Sequence, residues 1–172
     1  MSKIKWCGNA RLSECMLYRY RLCRWLLEVQ EPEHEPYVLF VGLNPSTADA
    51  SIDDNTVRAW MRLTLAWGFR MFVVGNVYAY RSRNPKALWK VADPIGPANG
   101  VALLEMAREA AYVVACWGNH AQPKHCLPVL EQLTNYKPVY CLGRNENGTP
   151  KHPLFLPTDV ERVLYAPCRR AA

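Results

Sequence analysis

The chain has 172 residues, of which 50% are hydrophobic, 11% aromatic and 21% charged. This length and composition predict one ordered globular domain over residues 1–172, too short for two domains of ordinary size. No run of about 18 apolar residues is present, and the N-terminus lacks the apolar segment of a secretory signal. We therefore expect a cytoplasmic protein without membrane contacts, and a monomer by default.

The basic excess of the chain, a net charge of +6 and a pI near 9.0, is concentrated in a few clusters. Arginines alternate with tyrosines in "RYRLCR" at residues 19–24 and in "YRSRNPK" at residues 80–86. Such clusters suit phosphate contacts combined with base stacking, and they equally suit a solvated basic surface. Charge alone therefore leaves nucleic-acid binding open.

Cysteine spacing argues against a metal site. The seven cysteines form no C-x-x-C pair and no Cys/His knuckle, and their number is odd. Free thiols are the simpler interpretation, and we expect neither a structural metal nor a cofactor.

The first predicted elements in chain order surround a polar turn. The segment "YRYRLCRWLL" alternates polar and apolar residues with a period near two, which favours an outer strand, although a helix is also possible. The proline-broken "VQEPEHEPY" follows as a turn. The continuously apolar "YVLFVGL" then predicts a strand that is covered on both faces.

The rest of the chain alternates between helix and strand patterns. A helix is predicted after Asp53 or Asp54, either of which is a suitable N-cap, and it ends near Gly68. The segments that follow are strand "MFVVGNV", helix "NGVALLEMAREA", strand "AYVVACWG", helix "HCLPVLEQLT" and strand "PVYCLG". This alternation predicts a three-layer α/β/α sandwich with a central, mainly parallel sheet of about four strands, plus an N-terminal edge strand.

Polar residues follow each predicted strand, at the edge where parallel sheets bind ligands. Asn44, restrained by Pro45, directly follows the first buried strand, and its amide can orient a water molecule or simply form a turn. Ser46 and Thr47 are candidate phosphate ligands or ordinary turn residues. Asp49 is a candidate base or water positioner, as are Asp53 and Asp54.

Two further polar side chains follow later strands. Asn76 offers a donor and an acceptor that match the edge of a nucleobase, or it bridges backbone groups. His152 lies on a loop constrained by prolines and can stabilise a developing anion, or it is a surface residue. Trp117 is expected to pack after its strand. The remaining candidates for ligand contact are aromatic or basic: Tyr78, Tyr80, Arg81 and Trp117.

Taken in order, four segments resemble motifs of the mismatch-specific branch of the uracil-DNA glycosylase superfamily. These are "VGLNPS", "VVGNVYAY", "VVACWGNHAQ" and "KHPLFL". The whole chain, including "RYRL", "NPSTAD" and "GTPKHPL", also resembles a family of small uncharacterised proteins that carry a domain of unknown function.

The glycosylase resemblance implies a nucleobase-directed enzyme that cleaves an N-glycosidic bond in DNA or a nucleotide, as in DNA repair or base modification. Asn44 would orient the water, Asn76 would read the base edge, and His152 would stabilise the departing base. Two positions depart from the family's motifs, because Ser46 replaces a glycine and Leu154 replaces a serine. These departures favour the alternative of a non-catalytic protein that binds nucleic acid or a nucleotide.

A third possibility is a different hydrolase or transferase that uses the acidic residues with His152. It requires the carboxylates of Asp49, Asp53 or Asp54 to converge on Asn44.

Overall fold

The computed structural model describes residues 4–46, 53–154 and 156–169. Within these ranges the chain forms one seven-stranded sheet, three α-helices and two short 3-10 helices. The expected mixed α/β class is confirmed. No helix in the described ranges has the length and apolar character needed to cross a membrane.

The strands are numbered along the chain. They are β1 (Trp6–Leu12), β2 (Arg19–Leu26), β3 (Val38–Gly42), β4 (Met71–Asn76), β5 (Tyr112–Ala115), β6 (Val139–Cys141) and β7 (Val163–Ala166). Their order across the sheet is β1-β2-β4-β3-β5-β6-β7. The three longer helices are α1 (Asn55–Ala66), α2 (Asn99–Glu109) and α3 (Pro123–Thr134), and the 3-10 helices cover Pro85–Lys90 and Gly118–His120.

The sheet is mixed, so the prediction of a mainly parallel sheet is wrong. The four central strands β4, β3, β5 and β6 are parallel to one another, as expected from the intervening helices. The pairings of β1 with β2, β2 with β4, and β6 with β7 are antiparallel. Antiparallel strands therefore extend the parallel centre on both sides, β2 and β1 on one side and β7 on the other.

The predicted N-terminal edge strand is a strand, but it is not the edge. It corresponds to β2, which pairs with both β1 and β4, and its Leu22 and Cys23 are almost fully buried. The edge position is taken by β1, whose residues are only partly buried or exposed. β1 has no continuous apolar run, and the apolar run of β7 is only four residues long, so neither strand was predicted from the sequence.

Successive residues of β3 belong to two separate apolar clusters. Val38 and Phe40 belong to the cluster that contains Trp60 of α1. Leu39 and Val41 belong to the cluster that contains residues of α2 and α3. Because successive strand residues point to opposite faces, α1 covers one face of the sheet and α2 and α3 cover the other. This burial on both sides makes the ends of the central strands rigid supports.

Candidate active site

A cavity of about 490 Å³ lies just beyond the carboxyl ends of β3, β4 and β5. Six of the residues selected from the sequence contribute to its wall: Asn44, Ser46, Asp54, Asn76, Trp117 and His152. These residues are far apart along the chain, and they meet here because the parallel strands end at one edge of the sheet.

The amide of Asn44 is held in one orientation by the backbone. Its Nδ2 donates to the carbonyl oxygens of Pro45 at 3.0 Å and Ser82 at 2.8 Å. Both N–H groups of the amide are therefore used, and Oδ1 is left as the available acceptor. Pro45 does not line the cavity, but its carbonyl also accepts from the backbone N–H of Ser82 at 2.8 Å.

Asp54 caps α1 and faces the cavity at the same time. Its Oδ1 accepts from the backbone N–H of Val57 at 2.8 Å, and its Oδ2 accepts from the hydroxyl of Ser46. The cap ties the segment after β3 to the start of the helix. Both carboxylate oxygens consequently have partners before any ligand enters.

Asn76 is almost fully buried, with 2% exposure. The carbonyls at the end of β4 are satisfied by Asn99, whose amide donates to the carbonyls of Asn76 at 3.0 Å and Val77 at 3.1 Å. The Nδ2 of Asn76 itself has no hydrogen-bond partner in the described part of the chain. A buried donor without a partner is costly, and it is a position at which a ligand acceptor would be stabilised.

His152 is positioned by the loop that follows β6. The backbone N–H of Gly118 donates to the carbonyl of Pro150 at 3.0 Å, which anchors this loop next to Trp117. The Nδ1 of His152 lies 3.2 Å from the backbone nitrogen of Leu154 and accepts its hydrogen bond. Neutral His152 must then carry its proton on Nε2.

Burial lowers the pKa of His152 below its ordinary value, and nearby His120 lowers it further, although the negative charge of Asp54 opposes both effects. The neutral form is therefore favoured at neutral pH. A neutral imidazole with its proton on Nε2 is a hydrogen-bond donor that needs no counterion.

Trp117 closes part of the cavity wall with 2% exposure, and its ring packs edge-on against Tyr165 at 6.1 Å between centroids. The expectation that it packs is met. Its indole Nε1 is buried and has no partner among the described residues, so Trp117 supplies a second unpartnered donor in addition to Nδ2 of Asn76.

The cavity is richer in basic than in acidic groups. Arg19, which is 3% exposed, and Arg83 contribute to the wall, and Asp54 is the single carboxylate among the described residues that line it. Sequence reasoning placed both arginines in basic clusters without assigning them to the site. It also missed the amide side chains of Asn119 and Asn145 as lining residues.

Several predicted contact residues lie away from the cavity. Tyr78 is fully buried in the cluster on the α2 and α3 face, and its hydroxyl contacts His125 Nδ1 at 3.0 Å. Tyr80 packs against the ring of Tyr18 at 6.0 Å, and Arg81 donates to the carbonyl of Met16 at 3.1 Å.

The three acidic candidates have different surroundings. Asp54 reaches the cavity, whereas Asp53 accepts a hydrogen bond from Nε of the buried Arg24 at 2.8 Å. Asp49 and Thr47 lie outside the described residues. Convergence of several carboxylates on Asn44, which the third hypothesis requires, is thus limited to Asp54 in the described ranges.

The family model described as "Protein of unknown function (DUF1643)" matches residues 19–154. The chain belongs to the DUF1643 family. The matched region begins at Arg19 and ends at Leu154, so it contains every residue that lines the cavity, while β1 and β7 lie outside it. No curated protein and no solved structure matches this DUF1643 chain. The similarity to uracil-DNA glycosylases stays a prediction.

No group of three or more His, Cys, Asp or Glu side chains in the described ranges is arranged to hold a metal ion. The described residues that line the cavity offer amide, imidazole, carboxylate and guanidinium groups.

Proposed function

We propose that this DUF1643 protein binds a nucleobase in the cavity and hydrolyses its N-glycosidic bond, in DNA or in a nucleotide. The observation that carries the proposal is the meeting of Asn44, Asn76 and His152 in one cavity of about 490 Å³. Pockets of this size accommodate a small organic ligand together with part of its substituents. Helices on both faces of the sheet support the finer proposal of a three-layer, glycosylase-like fold.

Each of the three side chains has a suitable role in that reaction. The fixed amide of Asn44 leaves Oδ1 to accept a hydrogen bond from a water molecule and hold it in position. The buried Nδ2 of Asn76 can donate to a carbonyl oxygen on the base edge. Neutral His152 can donate from Nε2 to an oxygen of the base, where negative charge grows as the bond breaks.

The reaction needs no reactant other than water and the nucleotide. The water oxygen forms a bond to the anomeric carbon of the sugar while the carbon–nitrogen bond to the base breaks. The bonding electron pair leaves with the base. The proton that the water loses replaces the sugar on the base nitrogen, directly or through solvent.

One observation favours the alternative of a non-catalytic binder on the same fold. Asp54, the described carboxylate in the cavity wall, already accepts hydrogen bonds from Val57 and Ser46. It is therefore poorly placed to take a proton from water. In the hydrolytic proposal the barrier is lowered by positioning and by anion stabilisation, and Asp54 is not required as a base.

The test is an incubation of the full chain with oligonucleotides that contain uracil, mismatches or modified pyrimidines, and with the matching nucleosides and nucleotides. Base release is measured by chromatography, and abasic sites by alkaline strand cleavage. We expect the wild-type protein to release the base from one member of the panel. Asn44→Ala should lower kcat for that substrate by at least about 100-fold.

Arg62→Ala is the matched control, because Arg62 is exposed on α1 and does not line the cavity. Binding of a panel member without release from any of them would establish the non-catalytic alternative. Neither binding nor release across the panel would refute both.

A further inference from the structure

A basic segment runs from the cavity wall onto the surface. Residues 81–90 contain four basic side chains, Arg81, Arg83, Lys86 and Lys90, and no acidic one. In the whole chain the excess of basic over acidic residues is six. The segment begins at the cavity, because Ser82, Arg83 and Pro85 belong to its lining.

The 3-10 helix Pro85–Lys90 sorts these side chains by face. Residues three apart are eclipsed in a 3-10 helix, so Pro85 and Leu88 share one face while Lys86 and Trp89 share another. Leu88 is fully buried and anchors the helix in the core. The face that carries Lys86 and Trp89 is exposed, and so is Lys90 at the end of the helix. Neither lysine forms an ion pair with any residue in the described ranges.

Trp89 is a large aromatic side chain left 43% exposed beside these lysines. Its ring is held by an edge-on contact with the buried Tyr78, at 5.4 Å between centroids and an interplanar angle of 86°. At about 2 Å of rise per residue, the backbone of Trp89 lies about 8 Å along the helix axis from Pro85 at the cavity wall. An ordered, partly exposed indole in a basic setting is the usual platform for an unpaired base.

We propose that residues 81–90 form a binding track for single-stranded nucleic acid, with Trp89 stacking on a base adjacent to the nucleotide in the cavity. The lysines contact the phosphates on either side of that base. This inference rests on the proposed function, since it assumes that the cavity takes a base. It makes the substrate a polymer with unpaired bases, and it excludes a free nucleotide as the preferred ligand.

The track is tested by fluorescence anisotropy with a labelled oligothymidylate of about 10 nucleotides, titrated at several salt concentrations. Trp89→Ala is expected to weaken binding about 10-fold without changing the salt dependence, because stacking releases no counterions. Trp89→Phe keeps an aromatic face and should recover most of the affinity. Circular dichroism and thermal unfolding establish that each variant is folded.

The double variant Lys86→Ala/Lys90→Ala should make the negative slope of log K against log salt less steep by about 1.4, or roughly 0.7 for each phosphate that is no longer neutralised by a lysine. The matched control is Arg58→Ala/Arg62→Ala, which removes the same charge from the exposed face of α1 and should leave the slope nearly unchanged. Equal changes of the slope in the two double variants would overturn the track, because binding would then depend only on the net charge of the protein.

Duplex DNA and thymidine monophosphate complete the comparison, and both should bind more weakly than the single strand. Unchanged oligonucleotide affinity in Trp89→Ala, or a mononucleotide that binds as tightly as the oligomer, would refute the inference. Stacking-dependent binding without base release would refute the hydrolytic proposal and leave the track standing. Base release undiminished by Trp89→Ala would support hydrolysis and reject the track.

Discussion

The position of Asn76 depends on the absence of a side chain at Gly42. A Cβ atom built on Gly42 would lie 2.8 Å from Oδ1 of Asn76, about 0.6 Å inside the 3.4 Å at which ordinary van der Waals contacts begin. The same atom would meet the ring of Trp60 at 3.5 Å, which is acceptable. Gly42→Ala therefore forces the Asn76 amide, or the end of β4, to move.

The effect of Gly42→Ala on the free energy of unfolding is the sum of two opposing contributions. Overpacking a buried site costs about 1–3 kcal/mol, while alanine regains roughly 0.5–1 kcal/mol because it loses less backbone entropy than glycine. We expect Gly42→Ala to lower the free energy of unfolding by about 1–2 kcal/mol. In a chain of this length that corresponds to a fall in Tm of about 2–8 °C.

Urea denaturation of four proteins measures this effect: wild type, Gly42→Ala, Asn76→Ala and the double variant. Removing the amide of Asn76 removes the atom that the new Cβ meets, so the cost of Gly42→Ala should largely disappear in the Asn76→Ala background. Gly100→Ala is the control, because its Cβ would meet only Gln132 Oε1 at 3.8 Å, and it should be stabilising. Strict additivity of the two substitutions would refute the reasoning.

Three further predictions concern the surroundings of the cavity. Asp54→Ala should lower the free energy of unfolding by about 1 kcal/mol in urea titrations, because the backbone N–H of Val57 loses its cap. Stability should also fall as the pH drops below about 6.5, because the unfolded chain takes up a proton that the lowered pKa of folded His152 resists. His152→Gln should make this decline shallower in urea titrations at several pH values. Tyr78→Phe should cost about 1 kcal/mol by thermal unfolding, because the part-buried N–H of Gln122 loses its acceptor.

Each of these three predictions can be contradicted by a specific measurement. Ser46→Ala removes the hydroxyl partner of Asp54 but keeps the cap on the backbone N–H of Val57, so an equal loss in Ser46→Ala would show that capping is not the cause. A pH profile unchanged in His152→Gln would assign the decline to other groups, His125 included, whose pKa is also lowered by burial. A Tyr78→Phe variant as stable as wild type would mean that water or a backbone shift replaces the hydroxyl.

Patterning alone was sufficient for the centre of the fold. The strands β3, β4 and β5 are continuous apolar runs, and such runs are stable only when both faces of a sheet are covered. The polar residues that end these runs, Asn44 and Asn76, could therefore be assigned to a shared edge by pattern alone. The marginal strands are harder to predict: β1 mixes polar and apolar residues, and β7 is an apolar run of only four residues whose side chains are exposed or only partly buried.

What the sequence by itself determined is which segments are buried and where polar groups follow them, because burial must match local hydrophobicity. Only the tertiary structure decided which of those groups meet. Antiparallel pairing of β2 with β4 brings Arg19 to the cavity, and the cap on α1 turns Asp54 toward it. Tyr78, which follows the end of β4 at Asn76, is buried in the apolar cluster on the face of the sheet covered by α2 and α3. These outcomes depend on contacts between distant segments, which local patterns do not encode.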